Sequence, residues 1–242
     1  MTVADLPDLP DLPDPPDPPD PPDPPDPPDP PDPPVLPRRP GVAAFDFDGT
    51  VSSRDNVVPF MRAVLGTGPM LRAVALTGPK LVAASLVDAR RNDAKDAMLH
   101  RTFAGREVDA VAAIARDFAD DVVAHHLNTA IVARLRWHQG QGHRVVLVSA
   151  SLDAYLGAVG HRLGVDAALA TELATEHGAY TGAIAGANVR RAEKVARLDA
   201  WLEATALTTA EVWAYGDSRG DDELLARADH AFRVRRGALR RN

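Results

Sequence analysis

The chain of 242 residues has no cysteine. That excludes a disulfide framework and a thiolate metal site. Lysine is nearly absent too, with three residues against 24 arginines. An uninterrupted apolar run is also missing. The longest mostly apolar stretch, Ala63–Val87, is broken by Arg72, Lys80, Pro69, Pro79 and glycines. A spanning helix needs about 20 apolar residues in a row, so this stretch reads as amphipathic helices and no integral membrane segment is expected. The N-terminus lacks the basic-then-apolar layout of a secretory leader, and the cytoplasm is the expected location. There is no basic excess either, the net charge being −7.

That charge and the 22 prolines are unevenly placed. Residues 1–40 hold 19 of the prolines and ten aspartates, against Arg38 and Arg39. The head therefore carries −8, and residues 41–242 are close to neutral. A near-neutral body gives no support to nucleic-acid binding, which wants a basic face. From Asp5 to Asp32 an aspartate falls at every third position. Consecutive prolines exclude helix and sheet, which leaves polyproline II at three residues per turn. The aspartates then line one edge, roughly 9 Å apart. Such a segment has too little apolar surface to pack and is expected to be disordered. Its functional reading is a weak ligand for a proline-recognising or basic partner. The alternative is a slipped repeat with no role.

The body reads as alternating strands and helices. Gly41–Phe47 is an apolar first strand that breaks at Asp48-Gly49-Thr50. From Asn56 to about Trp137 apolar residues recur at helical spacing, as in Val108, Val111, Ala115, Phe118, Ala119 and Val122. Arg144–Ser149 is a β-branched second strand. A helix over Leu152–Leu163, a strand over Ala167–Thr171 and a hairpin strand over Tyr180–Ile184 follow. Then come a helix over Arg190–Leu202, a strand over Glu211–Tyr215, a helix over Asp221–Ala228 and a strand over Ala231–Val234. This order predicts an α/β fold, with a doubly wound parallel, Rossmann-like sheet and one long helical insertion after the first strand. Sites in such sheets lie at the carboxyl ends of the strands. Asp48, Ser149 and Asp217 all follow predicted strands.

Four clusters carry candidate chemistry. In Phe45-Asp46-Phe47-Asp48-Gly49-Thr50-Val51, side chains two apart on a strand share a face. Asp46 and Asp48 therefore address one site while the phenylalanines enter the core. Two carboxylates this close suit a hard cation, or a nucleophile beside a proton donor. Ser149-Ala150-Ser151 offers small residues and free amides for an anion. Lys194 offers a compact positive charge suited to a phosphoryl group. In Tyr215-Gly216-Asp217-Ser218-Arg219-Gly220-Asp221-Asp222, a glycine turn presents Asp217, and Asp221 follows at a helix start. No histidine pair has metal-ligand spacing, and all eight histidines read as surface or core residues.

Taken in order, these motifs resemble the haloacid dehalogenase superfamily of phosphatases, in its phosphoserine-phosphatase-like subgroup (subfamily IB) with a helical cap. The resemblance implies a core of residues 41–54 and 128–242 and a cap of residues 55–127. It implies a Mg²⁺-dependent phosphomonoester hydrolase. Asp46 would be the nucleophile that becomes an aspartyl phosphate, and Asp48 the acid and base. Ser149 and Lys194 would hold phosphate oxygens. Mg²⁺ would bind Asp46, the main-chain carbonyl of Asp48, and Asp217, with Asp221 steadying that site from behind. Asp55 stands where the phosphoserine phosphatases contact the substrate amine. The apolar residues Met70, Leu71, Val74, Leu76, Leu81 and Val82 resemble instead relatives that act on lipid head groups such as phosphatidylglycerophosphate. A phosphoryl-binding module without turnover is the reading from another class.

Overall fold

The computed structural model describes residues 39–66, 88–235 and 238–241. All lie in the unit Arg38–Asn242. The proline-rich head and the apolar stretch at residues 67–87 fall outside the described residues.

The first strand, β1 (Gly41–Phe45), is buried along its whole length. It pairs in parallel with β2 (Arg144–Leu152) on one side and β6 (Glu211–Gly216) on the other. Strands β3 (Ala167–Thr171) and β7 (His230–Arg235) extend the sheet in parallel. A last strand, β8 (Ala238–Arg241), joins β7 antiparallel, giving the order β3-β2-β1-β6-β7-β8. A separate hairpin, β4 (Leu173–Glu176) and β5 (Ala179–Ile184), stands apart from this sheet.

Alternation along the strands makes two cores. Ala43, Phe45, Val145, Leu147 and Tyr215 belong to one apolar cluster, and Val42, Ala44, Val146, Val148 and Ala214 to another. This two-sided burial explains why the central strands read as unbroken apolar runs. Helices α1 (Val57–Leu65), α2 (Asp88–Phe103), α3 (Val108–His125) and α4 (Thr129–Gly140) lie between β1 and β2. On α3 the buried residues are Val111, Ala115, Phe118, Ala119 and Val122, the face that the spacing marked. Helix α5 (Asp153–Leu163) links β2 to β3, and α6 (Ala192–Ala204) precedes β6. A 3₁₀ turn (Arg219–Asp221) and α7 (Asp222–Arg227) link β6 to β7. Among the described residues no helix is long and apolar enough to cross a membrane.

The chain leaves β1 toward β2 on one side, while β6 and β7 lie on the other. Crossovers diverge at this point, so a crevice opens at the carboxyl ends of β1, β2 and β6.

Candidate active site

The crevice is a cavity of about 540 Å³. Asp46, Asp48, Ser149, Lys194, Asp217 and Asp221 all line it. They come from three strand ends, the 3₁₀ turn and the first turns of α6. The fold thus brings every one of these sequence candidates to one place.

Asp46 follows β1 and is only 5% exposed. Its amide donates to the Tyr215 carbonyl at 2.8 Å, which fixes the strand end. Lys194 Nζ donates to Asp46 Oδ1 and to Asp221 Oδ1, each at 2.5 Å. Asp221 Oδ2 accepts from the amide and the hydroxyl of Ser218, both at 2.9 Å. The three charged groups form a buried anion–cation–anion chain. Burial pushes the Asp46 carboxyl up to about 7 against the pull of Lys194, with Asp221 and Asp48 adding to the rise. Burial also works against the charge on Lys194, but Asp46 and Asp221 outweigh it and hold the ammonium above its usual value.

Asp48 is held differently. Its Oδ1 accepts from the Asn56 amide at 3.0 Å and from Asn56 Nδ2 at 2.8 Å. Its Oδ2 accepts from Ser151 Oγ at 2.6 Å. Burial raises the Asp48 carboxyl to about 6, and the Ser151 and Asn56 hydrogen bonds oppose that rise. The result is a carboxyl fixed in orientation that changes protonation near neutrality, as proton transfer requires.

Asp46, Asp217 and Asp221 each offer a carboxylate oxygen, and those three atoms lie within 4.8 Å of one another. This all-oxygen, anionic set fits a hard divalent cation. Gly49 makes the approach possible. Its φ is +79°, and a Cβ there would sit 2.4 Å from Asp217 Oδ2. The Asp48 side chain is not in this group, being turned to Asn56 and Ser151.

Asp55 lines the same cavity. Its Oδ1 also accepts from the Val57 amide at 3.0 Å, a local turn just ahead of α1. The wall beside it is apolar: Val57, Val58, Met61 and Met98, with Val58 50% exposed. Two arginines of the helical insertion, Arg101 and Arg106, are absent from the lining of the cavity, and Arg106 Nε donates to the Thr102 carbonyl at 2.7 Å. His138 is a core residue, fully buried under the sheet.

The sequence did not single out Asn56, and it marked Ser151 only as part of the Ser149-Ala150-Ser151 anion cluster, not as a partner of Asp48. Ser151 left a usable signal. It stands two residues from Ser149, and β2 runs on to Leu152, so the two hydroxyls share a face. Asn56 left none, because an asparagine ahead of a helix reads as an ordinary cap.

A parallel α/β core with a carboxylate cluster at its switch point defines a class of α/β enzyme. The chain belongs to the haloacid dehalogenase-like hydrolase family, whose pattern it matches over residues 43–226. Protein CicA of Caulobacter vibrioides is 34% identical over 82% of this chain and 88% of its own length. The Mycobacterium tuberculosis protein named "Probable phosphatase Rv3661" is 27% identical over 81% of this chain and 69% of its own. A Bordetella pertussis protein of unknown function superposes with a TM-score of 0.69 at 27% identity, over 78% of this chain and 87% of that one. A substrate-bound phosphoserine phosphatase superposes with a TM-score of 0.56 at 16% identity, over 79% of this chain and 84% of that one, a likeness of fold.

Proposed function

We propose that this chain is a Mg²⁺-dependent phosphomonoester phosphatase that works through an aspartyl phosphate. The observation that carries this reading is the buried Asp46 carboxylate, charge-paired with Lys194 and facing a cavity where Asp48 is held apart from it by its own hydrogen bonds. Asp46 attacks phosphorus, and the ester P–O bond breaks. Asp48 gives its proton to the departing oxygen, then takes one from the water that cleaves the acyl phosphate. Ser149 and Lys194 hold the phosphoryl oxygens, and the Lys194 charge offsets the Asp46 anion during approach. Asp46, Asp217 and the Asp48 main-chain carbonyl would hold Mg²⁺, which when bound neutralises phosphoryl charge. Asp221 keeps Lys194 and the Ser218 turn in place. The phosphatase named among the relatives and the phosphoserine phosphatase fold support the same reading.

Residues 55–127, which include helices α1–α3, are taken as the cap. The apolar wall of Val57, Val58, Met61 and Met98 favours a second reading for the substrate, a lipid head-group phosphomonoester. A binding module without turnover has no use for a carboxyl held like that of Asp48. With an aryl phosphate and Mg²⁺, wild type should turn over, and EDTA or Asp46→Asn should abolish it. Retained turnover in Asp46→Asn would falsify the covalent route.

A further inference from the structure

We propose that the leaving group of the substrate carries a second anionic group, and that Arg190 reads it. This deepens the phosphatase reading and rests on it.

The first observation is the charge balance of the cavity. Among its described lining residues are five carboxylates, Asp46, Asp48, Asp55, Asp217 and Asp221. Only Lys194 and Arg190 are cationic. Lys194 is committed to Asp46 and Asp221. Among the described residues the Arg190 guanidinium has neither an ion pair nor a hydrogen bond. A fixed cation without a partner, at the wall of a substrate cavity, is a place for an anion.

The second observation is location. A further groove of about 860 Å³ runs beside α2 and β5, past Asp96, His100 and Gly182. Asn188 and Arg190 line both this groove and the cavity above Asp46. A leaving group longer than the phosphoryl itself would pass Arg190 on its way out. Arg191 lines the groove as well, so its near end carries two guanidinium side chains.

The third is fixation. A Cβ on Gly220 would lie 3.4 Å from Arg190 Nε and 3.5 Å from its Cγ. The arginine stem therefore rests on the backbone of the turn that carries Asp217 and Asp221. It is placed by the catalytic turn instead of waving in solvent. The oxygens of the transferred phosphoryl already have Ser149 and Lys194, which leaves Arg190 to the other end of the substrate.

A carboxylate and a phosphate would both satisfy a guanidinium, so the test has two arms, each run with Mg²⁺. One compares 3-phosphoglycerate with glycerol 3-phosphate. The other compares propane-1,3-diol bisphosphate with propyl phosphate. In at least one arm the doubly anionic member should be preferred about tenfold or more in kcat/KM, the worth of one charged hydrogen-bonded pair. Arg190→Ala should bring that ratio close to one, and Arg190→Lys should keep part of it. The proposal is overturned if wild type shows no preference in either arm. It is overturned equally if Arg190→Ala lowers both members by the same factor, which would assign Arg190 to the transferred phosphoryl. If wild type hydrolyses none of the four compounds, the phosphatase reading is what fails. Calorimetric binding of the same pairs then still decides the subsite, with equal affinities within each pair counting against it.

Discussion

Lys194 matters to the fold as well as to the proposed chemistry, because both of its partners are buried. Replacing it with methionine leaves Asp46 and Asp221 facing each other without a cation. Removing one partner of a buried ion pair costs about 3–5 kcal/mol. Lys194→Met should lose that much in urea denaturation and show no turnover, whereas an unchanged midpoint would mean that the chain Asp46–Lys194–Asp221 is not formed. Asp48 carries a second expectation. In its proposed role as general acid Asp48 must be protonated, so with Mg²⁺ saturating and Asp46 thereby ionised, kcat/KM should fall as pH rises through about 6, where burial has placed it. The Ser151 hydroxyl stabilises its charged form. Ser151→Ala removes that help, raises the Asp48 pKa further and should move the alkaline limb to higher pH. A limb that stays put or moves down assigns the titration to another group. Asp46 and Asp48 were legible because spacing of two on a strand decides which side chains share a face. Their partner Asn56 was not, because its role depends on where the chain folds back after Ser53.

At the scale of elements, the apolar runs gave away the parallel strands because both faces of the sheet are covered. The last strand escaped for the opposite reason. Ala238–Arg241 is a four-residue edge that ends in arginines, and nothing in it alternates toward a core. The start of α6 was placed two residues early, at Arg190, and the difference is instructive. Arg191 sits at φ 55° and ψ −126°, a region that suits glycine, and its amide donates to the Gly220 carbonyl at 2.9 Å. That bond holds the entry to α6 against the Asp217–Asp221 turn, and Lys194 rides one turn further on. Strain of this kind costs on the order of 1–3 kcal/mol. Arg191→Gly removes it while keeping the amide, so the urea midpoint should rise by about 1 kcal/mol equivalent. A lower midpoint would mean that the arginine side chain contributes more than its backbone costs.

At the scale of the whole molecule, two sets of buried groups among the described residues respond to protons in opposite senses. In the active-site cavity, Asp46 and Asp48 have raised pKa values, so the native state takes up protons before the unfolded chain does and gains stability as pH falls. His138, packed against Phe45 and Tyr215, is fully buried, with one ring nitrogen 2.8 Å from His143 Nδ1 and the other 2.8 Å from the Tyr215 hydroxyl. Burial first, then the charges of His143 and Arg134, depress its pKa to about 3. Below pH 6.5 the unfolded chain accepts the imidazole proton and the native state does not, so through this group stability falls with pH. The carboxylates mask that loss in wild type, but they cancel in a comparison with His138→Gln. The stability of the variant relative to wild type should therefore improve by about 2 kcal/mol between pH 7 and pH 5, the cost of keeping one ordinary histidine neutral over that interval. Urea midpoints at pH 7, 6 and 5 in EDTA measure it. A difference that does not change with pH would show that His138 takes up its proton inside the fold as readily as in the unfolded chain.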